Sequence, residues 1–211
     1  MEIILFLPVL FFSVVLHEFA HGFAAYRLGD DTAYLSGRLT LNPIQHVDPV
    51  GTLGVPLLCY VTGFPLFGWA KPVPVNPLRL ASPRRDMGKV ALAGPLTNFT
   101  LALVFLFSMK LLSLFPQIFS EGTLRTLVTF LNYGLFINIM LTVFNLMPIP
   151  PLDGGRILTA VLPFKAALVY ERIIGRYGMW IVVGLVLTGW VKYLLLPPTM
   201  LIVSLFSKFL M

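Results

Sequence analysis

Cysteine occurs once in the 211 residues, at Cys59, so neither a disulfide framework nor a thiolate metal site can be built from this chain. Charge is scarce as well: 11% of the residues are charged, where a soluble domain carries about 25%. With 57% hydrophobic residues, that deficit excludes an ordinary soluble globule and points to an integral membrane protein. Repeats, low-complexity tracts and long polar linkers are missing, so a single membrane domain over residues 1–211 is expected. No basic segment precedes the first apolar run, and its helical pattern continues through Tyr26, so it reads as a span and not as a secretory signal.

What is present is a series of apolar runs at 3–16, 90–107, 127–147 and 179–196, each long enough with its flanks to cross a hydrocarbon core of about 30 Å. A shorter run, 199–211, reads as a last partial span. The net charge of +6 is distributed by topology. Eleven Lys and Arg fall between the first and second runs or just after the third, against two, Lys110 and Arg125, in the stretch between the second and third. The positive-inside rule then puts the N-terminus outside and the basic loops in the cytoplasm. A surplus explained by membrane orientation is no sign of nucleic acid, and no nucleic-acid partner is expected.

Residues 29–88 are too rich in proline and glycine for a long helix, yet "VGTLGVPLLCYVTGFPLFGWA", 50–70, is too apolar for a free loop. Broken backbone at membrane depth is tolerated where protein buries it or a cavity solvates it. The segment is read as re-entrant or sheet-like, lying against the bundle, with Tyr34, Leu35, Arg38, Leu39 and Leu41 forming a short strand before it.

The chemistry begins at "HEFAH", 17–21. Residues i and i+4 share a helix face with Cβ atoms about 5–6 Å apart. His17 and His21 can therefore point a ring nitrogen at one ion, while Glu18 reaches a water on it. A carboxylate inside a span costs at least about 2.5 kcal/mol, which favours a functional reading over a packed or accidental one.

A zinc site of this kind needs a third protein ligand and leaves the fourth position open. Asp153 in "NLMPIPPLDGGRI" is one candidate, since prolines end the third span and Gly154 and Gly155 permit a turn that aims the carboxylate inward. An ordinary Asx-turn at a helix end explains the same residues equally well. His46 in "LNPIQHVDPVGT" is a rival, chemically suited but placed in a proline-flanked loop.

In "GKVALAGPLTNFT", 88–100, small residues permit close helix approach, and Asn98 brings an amide to the second span. Asn98 lies nine residues past Lys89, about 14 Å along the helix, whereas His21 and His17 lie about 10 and 16 Å before Leu28. At matched depth these groups can meet, either as site chemistry or as a plain interhelical hydrogen bond.

Together "HEFAHGFAAYRLGD", "SGRLTLNPIQHVDPVGT", "GWAKPVPVNP", "PRRDMGKVALAGPLTNF" and "FNLMPIPPLDGGRIL" resemble, in order and over nearly the whole chain, the site-2 proteases, zinc metalloproteases that cut peptide bonds inside membranes. The resemblance implies an all-α polytopic fold: a core of three membrane helices carrying the motifs, flanking helices, and a small sheet or re-entrant segment between the first two spans. It implies one zinc ion held by His17, His21 and Asp153, Glu18 as the base that activates water, and Asn98 positioning substrate or stabilising the oxyanion. It is closest to the compact prokaryotic branch, with no room for an inserted PDZ domain and no appended CBS domain before Met211.

The expected substrates are membrane proteins with a transmembrane helix, and the expected setting is a prokaryotic cell membrane with the site open to the cytoplasm. A substrate helix must unwind before attack, so an extended segment docked by strand addition against 48–68, at Gly51 and Gly54, is the expected binding mode. The rival readings are a metal-binding or transport protein and a non-catalytic homologue serving as a binding platform. Glu18 argues against transport, because a transport site needs no base beside the water.

Overall fold

Proline, glycine and polar caps set the limits of the helices in the computed structural model, which describes residues 2–62 and 68–210. Helix α1 (Glu2–Arg27) is 26 residues, about 39 Å, long. It stops where Gly29 takes a φ of 104°: Asp30 N–H donates to the Ala25 carbonyl and Gly29 N–H to that of Tyr26, so the last carbonyls are satisfied by a glycine cap.

The following stretch departs from expectation. Residues Thr32–Leu35 form a short helix, α2, where a strand was expected, and no strand occurs among the described residues. The cause is local pairing. Asp30 Oδ1 accepts from both the N–H and the hydroxyl of Thr32, and the N–H groups of Leu35, Ser36, Gly37 and Arg38 all donate to carbonyls within five residues, leaving none for a ladder.

The apolar middle of the loop is helical too, through turns over Pro49–Gly54 that run into α3 (Val55–Thr62). Asp48 starts these turns by accepting from the N–H groups of Val50 and Gly51. The remainder of the expected re-entrant segment, 63–67, lies outside the described residues.

Helix α4 (Pro83–Leu114) opens with proline at its first position, and α5 (Glu121–Asn145) is capped by Ser120, which accepts from Thr123 N–H. Four short or long helices complete the chain: α6 (Asp153–Val161), α7 (Phe164–Tyr170), α8 (Arg176–Leu187) and α9 (Trp190–Leu210). Among the described residues, four helices are long and apolar enough to cross a membrane: α1 from Leu5, α4, α5, and α9 as far as Lys208. The expected fourth span at 179–196 is therefore corrected. The chain turns at Thr188–Gly189, where Gly189 has a φ of 73°, and the long helix is the one that follows, absorbing the run from 199 as far as Leu210.

Helices α4, α5 and α9 share an apolar core, with Ala102, Leu106, Leu135 and Ile139 buried against Ile202, Val203 and Phe206. Gly134 lets Phe105 lie flat on α5, because a Cβ there would overlap the ring. Helix α6 is clamped to α4: Gly88 leaves space for Ala160, and Arg84 donates from Nε to the Thr159 carbonyl at 2.8 Å and from its other nitrogen to that of Leu162. Arg84 thereby caps the C-terminal end of the helix whose first residue is Asp153.

Candidate metal centre

His17 and His21 lie one turn apart on the face of α1 that packs on α4, both less than a tenth exposed. Each ring is held by its Nδ1. His17 Nδ1–H donates to Asn98 Oδ1 at 2.5 Å, and His21 Nδ1–H donates to the carbonyl of Val90 at 2.7 Å. A neutral imidazole with its proton on Nδ1 has a bare lone pair on Nε2. Those two Nε2 atoms lie 2.9 Å apart, and Asp153 Oδ2 lies 3.2 and 3.3 Å from them.

Three lone pairs facing one another in a buried space repel unless a cation lies between them. Asp153 Oδ2 also accepts no hydrogen bond although it is buried. A tetrahedral zinc with nitrogen and oxygen ligands at 2.0–2.1 Å sets its ligand atoms about 3.3 Å apart, close to the separations found here. Among the described residues, His17, His21 and Asp153 form the one group of at least three such side chains that could hold a metal ion. The donor set fits a single divalent cation and leaves a coordination position for water.

Local chemistry offered two third ligands, of which the resemblance implied Asp153, and the fold brings Asp153 to the histidines and leaves His46 elsewhere. His46 is fully buried; its Nε2–H donates to the Thr40 carbonyl at 2.9 Å, and its backbone carbonyl accepts from Lys71 N–H. The glycines after Asp153 serve a different purpose from the expected turn. Neither has a positive φ. They form the first turn of α6, where a Cβ on Gly154 would overlap the Leu146 carbonyl and one on Gly155 would sit 2.8 Å from Pro150 N. Their absent side chains let α6 begin directly against the backbone that ends α5.

Asn98 meets His17, as the matched depths allowed. Its Nδ2 donates to Asn138 Oδ1 at 3.0 Å and to the Ser13 carbonyl at 3.4 Å, so an oxyanion contact from this amide would require those protons to leave their partners. Glu18 is half-buried, and its Oε2 accepts from Val73 N–H at 2.9 Å. Arg38, also buried, fixes that strap by donating to the carbonyls of Lys71 and Pro72.

Gly51 and Gly54, expected to contact substrate, lie on helical turns. The Gly51 carbonyl accepts from Trp69 N–H, and its bare Cα accommodates the Trp69 ring, where a Cβ would overlap. With 49–62 helical, this stretch presents no strand edge for an extended peptide.

Gly94, one of the small residues expected to permit close helix approach, and two residues that sequence reasoning passed over complete the surroundings. Gly94 lies under both rings, since a Cβ on it would be 2.5 Å from Cε1 of His17 and of His21. Ser13, one turn before His17, and Asn138 in α5 form the next layer. Asn138 had a visible signal: a carboxamide within an apolar run is costly unless it is used.

The family model for peptidase family M50 matches residues 117–187, which include Asp153. "Putative zinc metalloprotease YwhC" of Bacillus subtilis is 38% identical over 187 residues, 88% of this chain and 81% of that protein. The chain belongs to peptidase family M50, the site-2 protease family.

"Putative zinc metalloprotease Rip2" of Mycobacterium tuberculosis is 39% identical over 143 residues, 67% of this chain but 51% of the Rip2 length. "Zinc metalloprotease MJ0392" of Methanocaldococcus jannaschii is 29% identical over 204 residues, 95% of this chain and 46% of that protein. No solved structure matches.

Proposed function

We propose that this chain is a zinc endopeptidase that hydrolyses peptide bonds in or near the transmembrane segments of membrane proteins, with residues 1–211 acting as one catalytic unit. The observation that carries the reading is the convergence of three buried lone pairs, from His17, His21 and Asp153, beside a glutamate on the same helix turn. Membership of a peptidase family and relatives named as zinc metalloproteases support it.

When bound, zinc supplies Lewis acidity, making a water acidic near pH 7 and polarising a carbonyl. His17 and His21 would hold the ion through Nε2 and Asp153 through Oδ2, its carboxylate offsetting part of the charge. Glu18 takes the proton from the attacking water and delivers it to the departing amine nitrogen, a transfer worth about 100-fold or more in rate. The Val73 N–H on Oε2 leaves the other carboxylate oxygen for that work.

The distribution of Lys and Arg supports an N-terminus outside and a site reached from the cytoplasm, in a prokaryotic cell membrane. The partners are then the lipid bilayer and membrane-protein substrates with a transmembrane helix that unwinds locally to expose a carbonyl. Purified chain in detergent, assayed for metal content and for cleavage of a membrane-span peptide, tests the reading. One zinc per chain with cleavage abolished by Glu18→Gln is the expected result, and zinc binding without any cleavage would favour metal handling instead.

A further inference from the structure

We propose that Asn138, through Asn98, sets which nitrogen of His17 faces the metal, and so acts as a positioning residue two hydrogen bonds from that ligand. The inference rests on the metalloprotease reading, because it assigns His17 as a ligand.

Two atoms that can only accept, the carbonyl oxygens of Gly134 and Ser13, fix the orientation of both amides. Asn138 Nδ2 lies 2.8 Å from the Gly134 carbonyl and 2.9 Å from Ser13 Oγ. A backbone carbonyl has no proton to give, so the Asn138 amide must present Nδ2 to Gly134 and Oδ1 to its other side. There Oδ1 meets Asn98 Nδ2 at 3.0 Å. The Ser13 carbonyl, 3.4 Å from the same Nδ2, imposes the same orientation on Asn98.

With Nδ2 so committed, Asn98 Oδ1 is the atom that faces His17 Nδ1, at 2.5 Å. An amide oxygen there demands a proton on Nδ1 and leaves Nε2 bare toward His21 and Asp153. Reversing Asn98 would set its oxygen against Asn138 Oδ1 and the Ser13 carbonyl. Reversing both amides would set Asn138 Oδ1 against the Gly134 carbonyl. Every member of the chain is fully buried or nearly so, with Asn98 and Asn138 at 0% and Ser13 at 2% exposure, so no solvent relieves a wrong pairing. His21 needs no such relay, because its Nδ1 donates directly to a backbone carbonyl.

The relay predicts a distinction between two substitutions at one position. In Asn138→Asp the fully buried carboxyl stays neutral: its O–H takes the place of Nδ2 toward the Gly134 carbonyl while its other oxygen still accepts from Asn98 Nδ2, so the Asn98 orientation and the His17 tautomer persist. In Asn138→Leu the acceptor is gone, and Asn98 is held only by its long bond to Ser13.

The test uses the full chain in detergent, with zinc affinity measured by chelator competition. Nitrogen NMR of ring-labelled histidine is also recorded, in a chain that has only three histidines. Wild type and Asn138→Asp are expected to bind zinc equally well with His17 Nδ1 protonated, and Asn138→Leu to bind about 10- to 100-fold more weakly, the usual cost of losing an outer partner of a metal-bound histidine. Wild-type zinc affinity in a folded Asn138→Leu variant would overturn the relay and leave the metalloprotease reading standing. If that variant does not fold, the spectrum of the wild-type protein decides, since a His17 Nδ1 without a proton also overturns the relay. Wild type that binds no zinc refutes the underlying reading itself.

Discussion

Gly94→Ala is expected to cripple the metal centre through a single methyl group. A Cβ at this position would lie 2.5 Å from Cε1 of His17 and from Cε1 and Nε2 of His21, about 0.9 Å inside the nearest ordinary contact of 3.4 Å. Neither imidazole can swing aside freely, since each is tied by Nδ1, one to Asn98 and the other to the Val90 carbonyl one turn before Gly94. The remaining response is for α1 to back away from α4 by most of that distance. Overpacking of this kind costs about 1–3 kcal/mol, and a displacement near 1 Å in a catalytic constellation costs about 100-fold in rate.

The assay is paired: zinc content and thermal unfolding of the purified variant, then cleavage of a membrane-span peptide. Gly94→Ala should be purified as folded protein with depleted zinc and cleavage reduced at least tenfold, whereas the neighbouring exposed Leu92→Ala should match wild type. Full zinc occupancy and wild-type turnover in Gly94→Ala would refute the geometry, because the two rings could then not be where the structure puts them.

Glu18→Gln should retain zinc and lose cleavage, because the amide cannot accept the water's proton while the three ligand atoms are untouched; loss of metal in this variant would refute the division of roles. Asp153→Ala should lose zinc and His46→Ala should keep it, since His46 is committed to Thr40 and the Lys71 strap; metal analysis showing the reverse would replace the assigned third ligand. Arg38→Met should lower turnover without lowering zinc content, by freeing the strap whose Val73 N–H holds Glu18, and unchanged turnover would show that the strap is fixed by other means. Cysteines placed at the exposed Ser82 and Gly122 in a chain lacking Cys59 should label from opposite sides of the membrane; labelling from one side would defeat the proposed topology.

What the sequence determined by itself was whatever depends on near neighbours. The pairing of His17 with His21 and the adjacency of Glu18 follow from helical spacing, and the membrane class follows from a composition that leaves little to hydrate. Local signals failed where the backbone had competing local partners: at 32–38, where Asp30 and near carbonyls made a helical turn out of an expected strand, and at 188–189, where a glycine broke an apolar run that hydropathy alone reads as continuous.

Local chemistry left Asp153 and His46 as rivals and the family resemblance chose Asp153; the physical reason is tertiary, because α6, clamped to α4, carries Asp153 to the histidines of α1 while His46 is bonded within its own loop. Tertiary structure also decided what Gly154 and Gly155 are for, since they lack side chains to admit backbone folded back on them and not to permit a left-handed turn, and it decided that the close approach legible at Gly94 admits the two histidine rings. The direction of the Asn98 amide is of the same kind. It is dictated from the far side by two backbone carbonyls on α5 and α1, and a carboxamide carries no mark in the sequence of which end will face the metal.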